Sequence, residues 1–131
     1  MFLSAFRAGP ARPWMLEDAT AGALVARHVE AALDSASRRR GLLGRDSLRD
    51  TALVIAPCSA IHTFFMRFPI DVIFIDRQGV VVKVTPDLPA WRMSGAWGAY
   101  AVCEVASGTV RRTGTRAGNR LILRTAGSPG S

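Results

Sequence analysis

The chain predicts a predominantly antiparallel β-sheet, closed or sandwiched, carrying one short α-helix. Three observations lead there. Short apolar and β-branched runs recur at Thr51 to Ala56, Ile70 to Asp76, Val80 to Val84, Tyr100 to Val105 and Arg120 to Thr125. Glycines fall between the later runs, at Gly79, Gly108, Gly114 and Gly118, where a chain reversing direction needs turns. One stretch, Asp34 to Leu43, has Asp34 or Ser35 to cap its start and Gly44 just past its end.

From the N-terminus, residues 1–13 contain Gly9-Pro10 and Pro13 and read as a loose arm. The alanines of Ala19 to Leu43 favour helix by propensity. Ala23, Val25, Arg27, Val29, Ala31 and Leu33 fit a two-residue period equally well, so periodicity leaves the first half of this segment open. Thr51 to Ala56 is a strand closed by Pro57. Ile70 to Asp76 and Val80 to Val84 form a hairpin over Asp76-Arg77-Gln78-Gly79, with Gly79 in the left-handed position. Pro86 to Tyr100 carries Trp91, Met93 and Trp97, too long and apolar for a plain connector. It is expected to fold back over the sheet and bury both indoles, or to act as a flap over a pocket. In Tyr100 to Val105, Tyr100, Val102 and Glu104 share one face and Ala101, Cys103 and Val105 the other. Residues 14–125 thus read as a single β-rich domain, and 126–131 as a disordered tail.

At 131 residues with 49% hydrophobic content, the chain can bury a core of its own. The charge is +7 and the pI near 11.2, which on its face suggests an acidic partner. Lys83 is the only lysine, however, and the other sixteen basic residues are arginine. With abundant alanine, that is the pattern of a genome-wide codon bias, and no aromatic-interleaved basic motif accompanies the charge. Nucleic acid is therefore not the expected partner. Cys58 and Cys103 could form a disulfide, stay as buried thiols or include a reactive one; buried thiols are the expectation. No run of 18 apolar residues offers a membrane span. Residues 1–13 do not read as a signal peptide, which suggests a cytoplasmic protein, or an exported one whose leader lies outside this chain.

The run Ile61 to Asp76 sets His62, Arg67 and Asp71 among apolar residues, where an ionisable group must find a partner or shift its pKa. Asp71 would accept hydrogen bonds from backbone N–H groups, or from Arg67 across the bend at Pro69. Arg67 could instead face a cleft and clamp a carboxylate or phosphate. His62 could end an apolar strand bonded to backbone. It could also serve as a general base oriented by Asp71, with Thr63, Ser59 or Cys58 as nucleophile. No Gly-x-Ser-x-Gly elbow supports the second option. Cys58 and His62 would lie ~13 Å apart in an extended segment, too far to share a metal ion, so neither metal nor cofactor is expected. The densest basic patch is Arg38-Arg39-Arg40 with Arg45 and Arg49.

Arg40-Gly41-Leu42-Leu43-Gly44-Arg45, His62-Thr63-Phe64, Met66-Arg67-Phe68-Pro69-Ile70-Asp71, Val102-Cys103-Glu104-Val105 with Gly108, and Gly118-Asn119 follow one another in a familiar order. By these motifs the chain resembles the domain-of-unknown-function family 192 from about Trp14 to Arg124. The resemblance implies a compact, mainly β domain of sandwich or jelly-roll type. It favours a strand at Ala23 to Ala32 and a helix reduced to about Ser35–Leu43, and it implies no activity. Two residues depart from the family's pattern: Phe65 stands where glycine is frequent, and Asn119 where aspartate is common.

Together these features point to a binding or accessory module for a small or peptide-like ligand, an anionic one included. The expected site comprises His62 for a hydrogen bond, Arg67 for an anionic group, Asp71 for orientation and Trp91 for an apolar wall. The alternatives are a small hydrolase using His62 with a nearby nucleophile, and a structural partner in an envelope or secretion assembly.

Overall fold

The computed structural model describes residues 1–8, 13–40, 42 and 44–125. A 3-10 helix, Phe2–Ala8, precedes β1 (Trp14–Asp18), β2 (Ala23–Ala26) and β3 (His28–Ala32). Then come α1 (Ser35–Arg40), β4 (Thr51–Ile55), β5 (Ala60–His62), β6 (Ile70–Ile75), β7 (Val81–Leu88) and β8 (Met93–Gly95). The chain continues through β9 (Ala101–Ala106), α2 (Thr109–Thr113) and β10 (Leu121–Thr125). The strands form a five-stranded sheet ordered β3-β4-β9-β6-β7, a three-stranded sheet β10-β1-β2 and the pair β5-β8. The fold is mainly β and does not close into a barrel.

The five-stranded sheet is apolar on both faces because its central strands carry hydrophobic residues at successive positions. All six residues of β6, Ile-Asp-Val-Ile-Phe-Ile, are buried. One face presents Val54, Ile73, Ile75, Cys103 and Val105 to Trp14, Leu16, Val25 and Leu121 of the smaller sheet, making a sandwich. The other, which also carries Ala32 of β3, presents Leu53, Ile55, Ile70, Val72, Phe74 and Val102 to Leu42, Leu48 and Met66, so irregular segments cover it. Ladders are antiparallel except between β3 and β4, which pair in parallel through the connection that holds α1.

The hairpin of β6 and β7 forms as the turn residues predict. The Asp76 carboxylate accepts the Gln78 and Val80 N–H groups at 2.8 and 3.0 Å. Gly79 sits at φ +85°, where a Cβ would lie 2.6 Å from the Leu121 carbonyl oxygen. Asp34 caps α1 by accepting the Ser37 N–H at 2.7 Å. That bond holds the Asp34 carboxyl below its ordinary range.

Three expectations need correction. Among the described residues there are two short α-helices: Thr-Val-Arg-Arg-Thr forms α2 between Gly108 (φ +94°) and Gly114 (φ +73°). β-branched residues and flanking glycines make that segment read as turns, and only its packing reveals a helix. The first residues do not hang loose, because Phe2 and Phe6 are buried and Phe6 meets Trp14 edge-on at 6.2 Å. The segment from Pro86 to Tyr100 does not bury its indoles; β7 runs into it, and β8 pairs with β5. Gly9–Arg12, Gly41, Leu43 and the tail 126–131 lie outside the described residues.

Candidate functional site

The segment between β5 and β6 is pinned by Thr63, which is fully buried. Its N–H donates to the Arg92 carbonyl at 2.8 Å, and its carbonyl accepts the Trp91 N–H at 3.0 Å. Its hydroxyl donates to the Pro89 carbonyl at 2.6 Å and accepts the Arg92 N–H at 2.9 Å. Thr63 therefore fastens this segment to the β7–β8 connection. With that hydroxyl engaged, it is not poised as a nucleophile.

On the outer side of this clasp the aromatic rings gather. His62 and Phe64 have centroids 4.8 Å apart, Phe64 stacks on Trp91 at 5.8 Å, and Phe65 meets Trp91 edge-on at 4.6 Å. Met93 lies opposite His62 in the β5–β8 pair. Phe65 is 69% exposed, Trp91 54% and Met93 71%, a concentration of apolar area that folding alone does not explain; Trp97, two residues past β8, is fully exposed as well. Phe65 (φ +65°) and Trp91 (φ +66°) both adopt the left-handed conformation, costly for a bulky side chain. The backbone at Phe65 is thus one that suits glycine, the residue that the family resemblance leads one to expect there.

His62 Nδ1 accepts the Phe64 N–H at 3.3 Å, which places the proton of a neutral ring on Nε2, free to donate outward. Among the described residues no hydroxyl or thiol is within hydrogen-bond reach of His62. Arg67 is largely exposed and pairs with Asp46 at 2.9 Å rather than with Asp71, a contact that costs little to exchange for a ligand.

Asp71 does not join this surface. It lies on the sandwich face of β6 with no exposure. One carboxylate oxygen accepts the Asp87 N–H at 2.8 Å and the other the Val110 N–H at 2.9 Å. The reason is local. The β6–β7 register shifts between Ile70 and Val72, leaving Pro86 and Asp87 bulged opposite Asp71. Asp71 supplies the acceptor that the interrupted ladder cannot, and ties the first turn of α2 to the same point. The structure thus brings His62 and Trp91 together through Phe64, leaves Arg67 nearby in the chain but paired outward, and turns Asp71 inward.

Sequence reasoning passed over Phe64 and Phe65 as site residues and placed Glu104 in an alternating strand and in a family motif without foreseeing its burial. Glu104 is buried between Leu53 of β4 and Val72 of β6, and burial pushes its carboxyl up to about 7. Arg45 opposes that shift from nearby but is committed to Glu30, which it grips with both terminal nitrogens. Cys103 is wholly buried and raised to about 12; half-buried Cys58 is raised as well, and both thiols are free. Asn119 donates to buried Asp18 at 2.8 Å, where an aspartate would set two carboxylates against each other. Arg38 bonds the Leu33 and Ala56 carbonyls, so part of the basic patch serves the fold. Among the described residues no three His, Cys, Asp or Glu side chains converge as metal ligands, and no helix is long and apolar enough to cross a membrane.

The profile of domain-of-unknown-function family 192, described as Uncharacterized ACR, matches residues 16–123. A crystal structure of a protein of unknown function from Novosphingobium aromaticivorans superposes with a TM-score of 0.72 and 23% identity, over 83% of this chain and 82% of that one. The structure of a putative transcription regulator from Sinorhizobium meliloti gives 0.70 and 24%, over 88% and 93%. These two share the fold. No curated protein matches the chain.

Proposed function

We propose that this chain, which belongs to domain-of-unknown-function family 192, is a binding module that takes a peptide-like ligand on the surface formed by His62, Phe64, Phe65 and Trp91. The observation that carries this reading is the pair of left-handed aromatic residues, Phe65 and Trp91, in contact with each other and exposed. Backbone strain spent on showing apolar rings to water opposes stability, and such strain concentrates where a ligand is held. The rings offer flat apolar walls, His62 Nε2 a donor and Arg67 a cation for an acidic side chain or terminus. Asp71 keeps a positioning role at most, through β6. The hydrolase alternative would need a nucleophile beside His62, and none of the described residues supplies one. A transcription-regulating role, as described for the Sinorhizobium protein, would call for a groove-reading element. Here α1 and α2 have six and five residues, too short for that use.

An array of peptides pairing aromatic or prolyl residues with acidic ones tests the reading. Trp91→Gly suits the left-handed backbone and removes a ring that is more than half exposed. Peptides retained by the unaltered protein should bind this variant at least about tenfold more weakly at unchanged thermal stability. A protein that retains no peptide, or a Trp91→Gly variant that retains the same ones equally well, sinks the proposal.

A further inference from the structure

A separate concavity of about 520 Å³ lies between β2, the segment Leu48 to Thr51 and the turn from β9 into α2. Among the described residues, Arg27, Arg49 and Arg112 line it with one carboxylate, Asp50, beside Thr109 and Ser107, whose hydroxyl donates to Asp87 outside the lining. Arg112 is fixed in place, donating from one terminal nitrogen to the Leu24 carbonyl at 3.1 Å and from the other to the Val25 carbonyl at 3.2 Å. Most of its N–H donors remain available. Asp50 is turned towards Arg27: one oxygen accepts the Arg27 N–H at 3.1 Å and the other faces its Nε at 3.3 Å. Asp50 holds a left-handed conformation (φ +51°) in doing so. The one acid of the cleft therefore orients an arginine and leaves the guanidinium's terminal nitrogens free. The side chain of Arg49 has no hydrogen-bond or ion-pair partner among the described residues.

Three guanidinium groups against one carboxylate leave the cleft with a net positive charge. Two of the three are held by the fold and the third is free to close. Planar forks at that density match tetrahedral or planar oxyanions, which take several N–H donors at once. The volume falls in the range of small-molecule sites. We propose that this cleft binds a phosphate-type oxyanion carried by a small molecule, independently of the aromatic surface. A duplex lying along a basic strip is the competing occupant, and the two differ in how they respond to single charges.

Calorimetric titration with pyrophosphate at low salt tests this directly. The unaltered protein should bind, and Arg49→Ala should weaken binding by about tenfold. Among the described residues the Arg49 side chain has no hydrogen-bond or ion-pair partner, so the fold should tolerate the change; unaltered thermal unfolding of Arg49→Ala checks this. Arg116→Ala removes the same charge from an exposed position outside the cleft, and should change the affinity less than about twofold. Glycerol phosphate and vesicles carrying phosphatidic acid, titrated in parallel, tell a soluble ester from a lipid headgroup; binding of either upholds the oxyanion chemistry. Absence of pyrophosphate binding overturns the proposal. So does equal weakening by Arg49→Ala and Arg116→Ala, as does a short DNA duplex that displaces pyrophosphate and is itself weakened equally by both substitutions.

Discussion

Asp71 and His62 lie nine positions apart in the chain, yet the corner around the one and the surface around the other sit in opposite physical regimes. At Asp71 a charge is taken out of water completely and both its oxygens are answered by backbone N–H groups. At the surface, apolar rings are held in water on a strained backbone. The first arrangement spends polarity to stabilise a bulge and a helix start. The second gives up stability for something other than folding. Side-chain chemistry alone would have suggested the reverse, with the carboxylate outside and the rings within.

The largest effect is expected at the corner. Asp71→Ala strips the acceptor from two N–H groups, one in the β7 bulge and one at the start of α2. It should cost about 3 kcal/mol or more in urea unfolding. A loss below about 1 kcal/mol would mean that water or another group satisfies those donors as well.

Glu104 shows what a buried carboxyl does without such donors. Its folded value of about 7 lies above the ordinary 4.5, so the folded state binds the proton more tightly than the unfolded chain. Stability from this group is complete below pH 4.5 and declines as the pH rises towards 7. The decline amounts to about 3 kcal/mol at most. Glu104→Gln should flatten the unfolding free energy over that window relative to the unaltered protein, and be the more stable of the two at pH 8. Parallel pH profiles would argue that Arg45 already neutralises the carboxylate.

The smallest effect tests the surface. Phe65→Gly relieves a left-handed φ but loosens the unfolded chain and forfeits the edge contact with Trp91, so these changes largely cancel. Thermal unfolding should move by no more than about 1 kcal/mol equivalent in either direction. A severe loss would show that the ring supports the fold, and the contrast between the two regions would collapse.

Much of the framework could be read in advance. The β6–β7 turn announces itself through Asp76 and Gly79, because a tight reversal needs an Asx-type acceptor and a left-handed residue at fixed spacing. The Asp34 cap and the buried run of β6 are equally local signals. His62, Arg67, Asp71 and Trp91 were all visible as unusual residues, but their grouping was not. Whether an aspartate in an apolar strand meets an arginine or two backbone N–H groups depends on a register shift in the neighbouring strand. That shift has no signature in the sequence around Asp71. The burial of Glu104 likewise follows from which strands flank β9.

The sequence by itself determined the five apolar strands from Thr51 onward that become β4, β6, β7, β9 and β10, the reversal at Gly79, the capped helix and the family, since turn chemistry and apolar runs act between near neighbours in the chain. Only tertiary structure decided that Asp71 faces inward, that Phe65 and Trp91 meet in water, and that Arg27, Arg49 and Arg112 share one cleft. Those outcomes depend on side chains from distant segments arriving at the same place, and no local pattern encodes which segments those are.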